Sequence, residues 1–378
     1  MLEEARKYGQ EWGVKFSGTK CKVMLFGDAI NEGWVLGNEV LEVVEEYKYL
    51  GVTLSSKGDL FGRHKRGKEL GMLRMLGMLK NVMTKHAGGY LIVRELWKGV
   101  GVPRSLYGYE VCKVSKEEID KMEKMQNRVA RLGLGANSYT AVEALRGEMG
   151  WSRYQERIAK MKIRYKIKLQ ELSNRDEMSW AGYLYKLEGS DWAKEIRRIE
   201  RKYELDRLYG AENSRVLVER RITEHGQIEW ERGLNSKSTL RFYRNKKAPR
   251  REEFYDGSYE GKLLFRARAG SLEVNARTHR WNGGSESCEK CYGGMRETIE
   301  YVIVECEGYR DERECLSQEI GLILGQDRWE AIRDGESQGV SLILGFECGD
   351  KRVDRCLVEI VEKTKKFFKN IWKIRGGN

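Results

Sequence analysis

Between residues 152 and 170 the chain carries two stripes that run in step. Arg153, Arg157, Lys160, Arg164 and Lys168 are spaced by 4, 3, 4 and 4 residues, and Tyr154, Ile158, Met161, Tyr165 and Leu169 repeat that spacing one residue later. Residues three and four apart share one side of an α-helix, and a shift of one residue rotates the stripe by about 100°. The segment therefore reads as a helix that buries its apolar stripe and presents cations beside it. Neighbouring cations stand about 5–6 Å apart, close to the phosphate repeat of an extended strand. Only Glu156 offsets them. A charge run is commonly a solvated face, but this one is nearly all of one sign, which favours a polyanion.

The surrounding sequence predicts an α+β chain that is mainly helical. Residues 1–12 read as a helix. Segments 23–27 and 34–36 read as strands parted by a turn around Asn31, and 49–54 as another strand, closed by Ser55-Ser56-Lys57-Gly58. Helices are expected over 61–86, over 88–102 with a stop near Pro103, over 152–172 and over 352–375. One more begins at Ser115, where Glu118 completes a capping box and Ile119, Met122, Met125 and Val129 share a face. Val353, Leu357, Ile360, Phe367, Ile371 and Trp372 form an apolar stripe on the last helix. The expected organisation is 1–58 as a small sheet and hairpin, 59–175 as a helical domain, 176–270 as a helical connection, and 271–378 as a cysteine-rich module with its closing helix.

Composition narrows the function. Lys plus Arg is 70 against 58 Asp plus Glu, a net charge of +12, which points to nucleic acid before a membrane surface. The surplus is local: residues 61–131 hold 16 Lys/Arg against 7 Asp/Glu, while 281–350 hold 6 against 16. No run of 18 apolar residues predicts a membrane span, and no membrane partner is expected. The first twelve residues lack the apolar core of a signal peptide. Four histidines, and no Walker A, G-x-S-x-G or H-E-x-x-H sequence, argue against a multi-histidine metalloenzyme, a P-loop enzyme or a serine hydrolase. Eight cysteines without a secretory signal read as thiols or metal ligands, which places the protein in the nucleus or cytoplasm.

Two more constellations carry chemistry. Lys246, Lys247, Arg250 and Arg251 form a basic cluster behind Phe242 and Tyr243, the mixture that single-strand binders use for stacking; Lys246 to Arg251 also fits a nuclear-import signal or a solvated loop. Cys288, Cys291 and Cys306 have the order of a zinc knuckle, because a two-residue gap turns both thiolates onto one tetrahedral ion. The fourth ligand is open: Tyr301 stands where a histidine is usual, and His279 and Cys315 are the alternatives.

Taken in order, several segments resemble the reverse transcriptases of non-LTR (LINE-type) retrotransposons. They are 12–17 with 19–27, Tyr47-Lys48-Tyr49-Leu50-Gly51-Val52-Thr53-Leu54, 103–111, 122–128, Glu148-Met149-Gly150-Trp151, and 277–281 with the cysteines. The resemblance implies the end of a palm, a primer-grip hairpin of Tyr47, Tyr49, Leu50 and Gly51, a helical thumb, and a C-terminal Cys-Cys-His-Cys knuckle. It also implies that Arg153, Arg157, Lys160, Arg164, Lys168 and Arg128 face the phosphates of a template–primer, with Gln126 structural. Lys20, or next to it Lys22, takes the place of a lysine proposed to protonate the pyrophosphate leaving group.

The departures are equally informative. Two palm segments whose aspartates hold a pair of Mg²⁺ ions have no counterpart, and Asp28 alone cannot replace a carboxylate pair. No Mg²⁺ site is therefore expected, and Lys20 would be vestigial. The expectation is a retrotransposon-derived chain that binds RNA or DNA and does not polymerise alone. The alternatives are a subunit completed by a separate chain carrying the missing palm and fingers, or an interaction protein that docks a partner through Phe367, Phe368 and Trp372.

Overall fold

A computed structural model describes residues 1–30, 32–85, 89–175, 180–187, 189–209, 213–244, 246–291, 293–335 and 337–376. The turn expected around Asn31 lies outside these. Helix α1 (Leu2–Trp12) precedes three separate two-stranded pieces. Strand β1 (Lys22–Val23) pairs in parallel with β4 (Glu42–Val43), and β2 (Val35–Leu36) pairs antiparallel with β3 (Glu39–Val40). Strands β5 (Glu46–Tyr49) and β6 (Val52–Ser55) form a hairpin with Tyr49 opposite Val52. Its two loop residues both have positive φ, 46° at Leu50 and 83° at Gly51. That pattern matches the twist of the flanking strands, and glycine adopts it freely, whereas leucine does not.

The remainder is helical, as the sequence predicts. Helix α2 (Gly62–Lys85) leads to α3 (Gly89–Leu96), then a wide π turn (Trp97–Gly101) and α4 (Val102–Leu106). Pro103 does not stop this helix. It sits in the first turn of α4, where an amide hydrogen is dispensable, and the helix ends at Tyr107 instead. Helix α5 (Lys116–Leu134) starts at the capping box: Ser115 Oγ accepts the Glu118 amide and Glu118 accepts the Ser115 amide at 2.7 Å. Next come α6 (Val142–Met149), α7 (Tyr154–Arg175), α8 (Trp180–Lys186), α9 (Asp191–Tyr203) and α10 (Ser214–Asn235). They are followed by α11 (Tyr259–Arg268), α12 (Asn275–Asn282), α13 (Ile299–Val304) and α14 (Arg310–Leu324). Helices α15 (Gln326–Arg333), α16 (Ser337–Ile343), α17 (Lys351–Arg355) and α18 (Leu357–Ile374) close the chain.

One contiguous apolar core runs from Met72 on α2 to Trp372 on α18. A smaller one joins Ala159, Ile163 and Ile167 of α7 to Ile196, Tyr203, Leu205, Val218 and Ile222. Helix α7 thus packs on both cores, so its buried surface is wider than one stripe. Lys162, fully buried, bonds Glu195 at 3.1 Å on that second side. Arg268 and Glu148, both fully buried, pair at 3.0 Å, and Tyr243 donates to the same carboxylate at 2.6 Å. Because each charge is satisfied, this cluster ties α6, α11 and the segment after α10 into one body. The stripe of the closing helix is also spent internally. Phe367, Phe368 and Trp372 are buried, which overturns the expectation that they dock a partner.

Candidate nucleic-acid interface and metal centre

Helix α7 does not leave its cations free: most of them are tied to neighbouring side chains, although Arg164 and Lys168 stay exposed. Helix α10 lies beside it, and the two form a polar seam. Arg153 donates to Glu229 at 2.6 Å, Lys160 to the Thr223 hydroxyl at 2.7 Å, and Arg164 to both oxygens of Glu219. Arg157 bonds Ser152 Oγ at 3.1 Å and lies over the Tyr154 ring. Lys168 is exposed and has no carboxylate partner among the described residues. The Arg164 pair holds the Glu219 carboxyl below its ordinary value, while burial in the seam lowers the Lys160 ammonium. Glu156, the one acid in the stripe, is buried and is held above the usual carboxylate range by desolvation.

Beside this seam lies an open groove of about 840 Å³. Arg157, Lys160, Arg164, Lys168 and Arg215 line it against two carboxylates, Glu110 and Glu171, and its far wall includes Pro103, Leu106 and Tyr107. The β5–β6 hairpin reaches the same place. Tyr107, a wall residue, donates its hydroxyl to the Leu50 carbonyl, and Lys68 stands 5.0 Å over the Tyr107 ring. A Cβ on Gly51 would lie 3.2 Å from that ring, so the loop fits closely only with glycine there. Tyr49 is 60% exposed and Leu50 73% exposed beside the groove. Tyr47, two residues back on β5, donates its hydroxyl to the Lys20 carbonyl at 2.9 Å. Lys20 is exposed on a turn and Lys22 is paired with Glu42. Arg128 is exposed on α5 and is not among the groove's lining residues, and Gln126 is buried, donating to the Ser152 carbonyl.

The second basic cluster is dismantled by tertiary packing. The Lys247 side chain is enclosed and bonds Glu252 at 2.6 Å; Lys246 bonds Ser341 at 2.6 Å; Arg250 pairs with Glu347. Arg251 alone of the four is exposed with no ion pair among the described residues. Phe242 and Tyr243, expected to stack on bases, are buried in the core. The basic run therefore supplies internal partners rather than a free loop.

The cysteines do meet. The sulfurs of Cys288, Cys291 and Cys306 all lie within 4.8 Å of one another, a cluster able to hold a metal ion. A short β-bridge, Ser287 to Arg296, folds the first two onto one side, and Cys306 arrives from the end of α13. Backbone amides two residues on, at Lys290, Gly293 and Gly308, bond the three sulfurs and favour their ionised forms. The two halves touch so closely that a Cβ on Gly308 would stand 2.3 Å from the Lys290 carbonyl oxygen. Of the three candidates for a fourth ligand, only Tyr301 is in place. Its hydroxyl lies 2.9 Å from Cys291 Sγ, and the Thr298 cap on α13 accepts its amide at 3.1 Å. His279 is bound to Glu286 at 2.8 Å, and Cys315 is exposed on α14, outside the cluster. Burial pushes the Cys288 thiol up to about 12, whereas the Tyr301 hydroxyl draws Cys291 down.

No helix among the described residues is long and apolar enough to cross a membrane. Compared with known proteins, the chain matches no family model, no curated protein and no solved structure.

Proposed function

We propose that this protein binds nucleic acid through the groove beside α7 and performs no polymerisation by itself, in keeping with descent from a LINE-type reverse transcriptase. The observation that carries the reading is the Tyr107–Leu50 bond. It anchors a hairpin with exposed Tyr49 and Leu50 beside five cations contributed by α7 and α10. Cations along the groove suit a phosphate backbone, and an exposed aromatic beside them suits a base or sugar. The groove is wide and open, which fits a polymer better than a small molecule, whose sites enclose most of its surface.

The cysteine module serves as a structural element in this reading, and zinc is its metal. Three thiolates and one oxygen in a closed, buried cluster suit a soft-ligand tetrahedral ion. Tyr301 supplies the fourth position, and the ion's role is to fold the loops, since no open position is left for substrate.

Fluorescence anisotropy with a primed RNA–DNA duplex across a salt series tests the function. The wild type should bind with a strong salt dependence. Arg157→Glu combined with Lys168→Glu should reduce the salt slope by about 2, and added nucleotides with Mg²⁺ should give no extension. Binding that is indifferent to both substitutions would overturn the assignment, and extension would overturn the absence of polymerisation.

A further inference from the structure

A second basic site takes its arginines from three separate stretches of the chain. Arg241, Arg277, Arg280 and Arg296 line one open pocket of about 320 Å³, against a single carboxylate, Glu300. Two of them are already engaged: Arg241 pairs with Glu300 and Arg296 with Glu286. Arg280 is exposed on the last turn of α12 with no ion pair among the described residues. Arg277 donates to the Gly270 carbonyl but keeps its Nε buried without a hydrogen-bond partner.

Arg277 also connects the pocket to an aromatic shelf. Its guanidinium stands 4.6 Å over the Tyr139 ring and 6.0 Å over the Trp281 ring. The two rings are 5.5 Å apart, and Trp281 is 55% exposed. The shelf is held from below, because Tyr139 and Asn137 both bond the Ser271 carbonyl. A large exposed indole fixed beside a surplus of guanidinium groups pairs a π face with anion donors. Guanidinium groups match phosphate oxygens in geometry as well as charge, and a sequence-independent base stacks on an aromatic face.

We infer that this shelf and pocket bind single-stranded nucleic acid, with a base on Trp281 and the adjacent phosphate in the arginine pocket. The inference extends the nucleic-acid reading to a second surface, but it does not depend on the groove beside α7. A strand engaging both would contact the helical body and the cysteine module at once. The shelf binds weakly alone and tracks an unpaired stretch next to the duplex.

The test is titration of the full chain with a six-nucleotide oligothymidylate at low salt, with a fully paired RNA–DNA duplex as a parallel arm. Trp281→Ala and Arg280→Glu alter exposed side chains, so the fold should stand, and an unchanged thermal midpoint checks this. The expected result is that each variant weakens hexamer binding roughly tenfold or more, in the range lost with one stacked base, and leaves the Arg157/Lys168-dependent binding of fully paired duplex intact. Hexamer binding indifferent to both variants, or no hexamer binding by the wild type, overturns the inference whatever the duplex arm gives. Competition by inorganic triphosphate together with indifference to Trp281→Ala also overturns it, because that outcome assigns the pocket to free polyphosphate.

Discussion

The hydroxyl of Tyr301 and the sulfur of Cys291 stand 2.9 Å apart, at the corner of the cysteine cluster where a knuckle of this order places histidine. Tyrosine is a harder and more acidic-demanding ligand than imidazole, because it must lose a proton to bind well. Replacing it therefore discriminates between a ligand and a bystander. With Co²⁺ as a spectroscopic substitute for zinc, Tyr301→Phe should weaken binding by roughly tenfold or more, taking the low end of what perturbing a site's surroundings costs. Tyr301→His should tighten it, and Cys306→Ser should weaken the thiolate charge-transfer band, which Cys288 and Cys291 would still supply. Equal affinities for the tyrosine and phenylalanine forms would remove Tyr301 from the ligand set.

The seam between α7 and α10 predicts an acid-sensitive contribution. Arg164 lowers the Glu219 carboxyl below its ordinary value of 4.5. A depressed carboxylate stabilises the fold fully above its unfolded value, and the contribution is lost as pH falls through the folded one. Both partners are partly exposed, so the pair contributes no more than about 1 kcal/mol. Urea unfolding should show Glu219→Gln destabilised by that order at neutral pH and indistinguishable from wild type at about pH 2, where the carboxylate is gone. The same substitution releases Arg164 toward the groove, so duplex affinity should rise while stability falls.

Leu50 sets stability against binding in the opposite sense. Its φ of 46° is left-handed, a conformation that costs a branched side chain about 1–2 kcal/mol. Asparagine tolerates this region. Leu50→Asn should therefore raise the unfolding free energy by about 1 kcal/mol in a denaturant titration. Since Leu50 is exposed beside the groove, the variant should also bind the duplex less tightly. A variant that is stabilised and binds normally would show that the leucine side chain makes no contact with the ligand.

What the sequence disclosed and what it concealed divide along a physical line. The Ser115–Glu118 box, the helix from Tyr154 and the gathering of Cys288, Cys291 and Cys306 are local or carry a fixed spacing, and each was legible. The partners of the α7 cations were not. Glu219, Thr223 and Glu229 lie 55 to 76 residues further on, and their helix had no distinctive pattern. The burial of Phe242 and Tyr243 and the enclosure of the Lys247 side chain were hidden for a similar reason, because a basic window describes neighbours in sequence and not in space. The Tyr139–Trp281 shelf was missed because its arginines are scattered, two of them just outside and one inside a strongly acidic window. A search for arginines flanking exposed tryptophan would have found Arg280 beside Trp281, although only the fold adds Arg241 and Arg296.

Arg375, just past the last turn of α18, ion-pairs with Glu297, a fully buried carboxylate that also accepts the Asn275 amide at 2.7 Å and faces Cys288 Sγ at 3.6 Å. The longest apolar helix of the C-terminal half is thus clasped to the wall of the thiol cluster. An ion held by the three thiols would make its loading and the seating of that helix a single equilibrium, each holding the other in place. Starvation for the ion would reach well past a small loop: it would loosen the support of the core itself, and the lifetime of the protein in a cell would follow its metal supply.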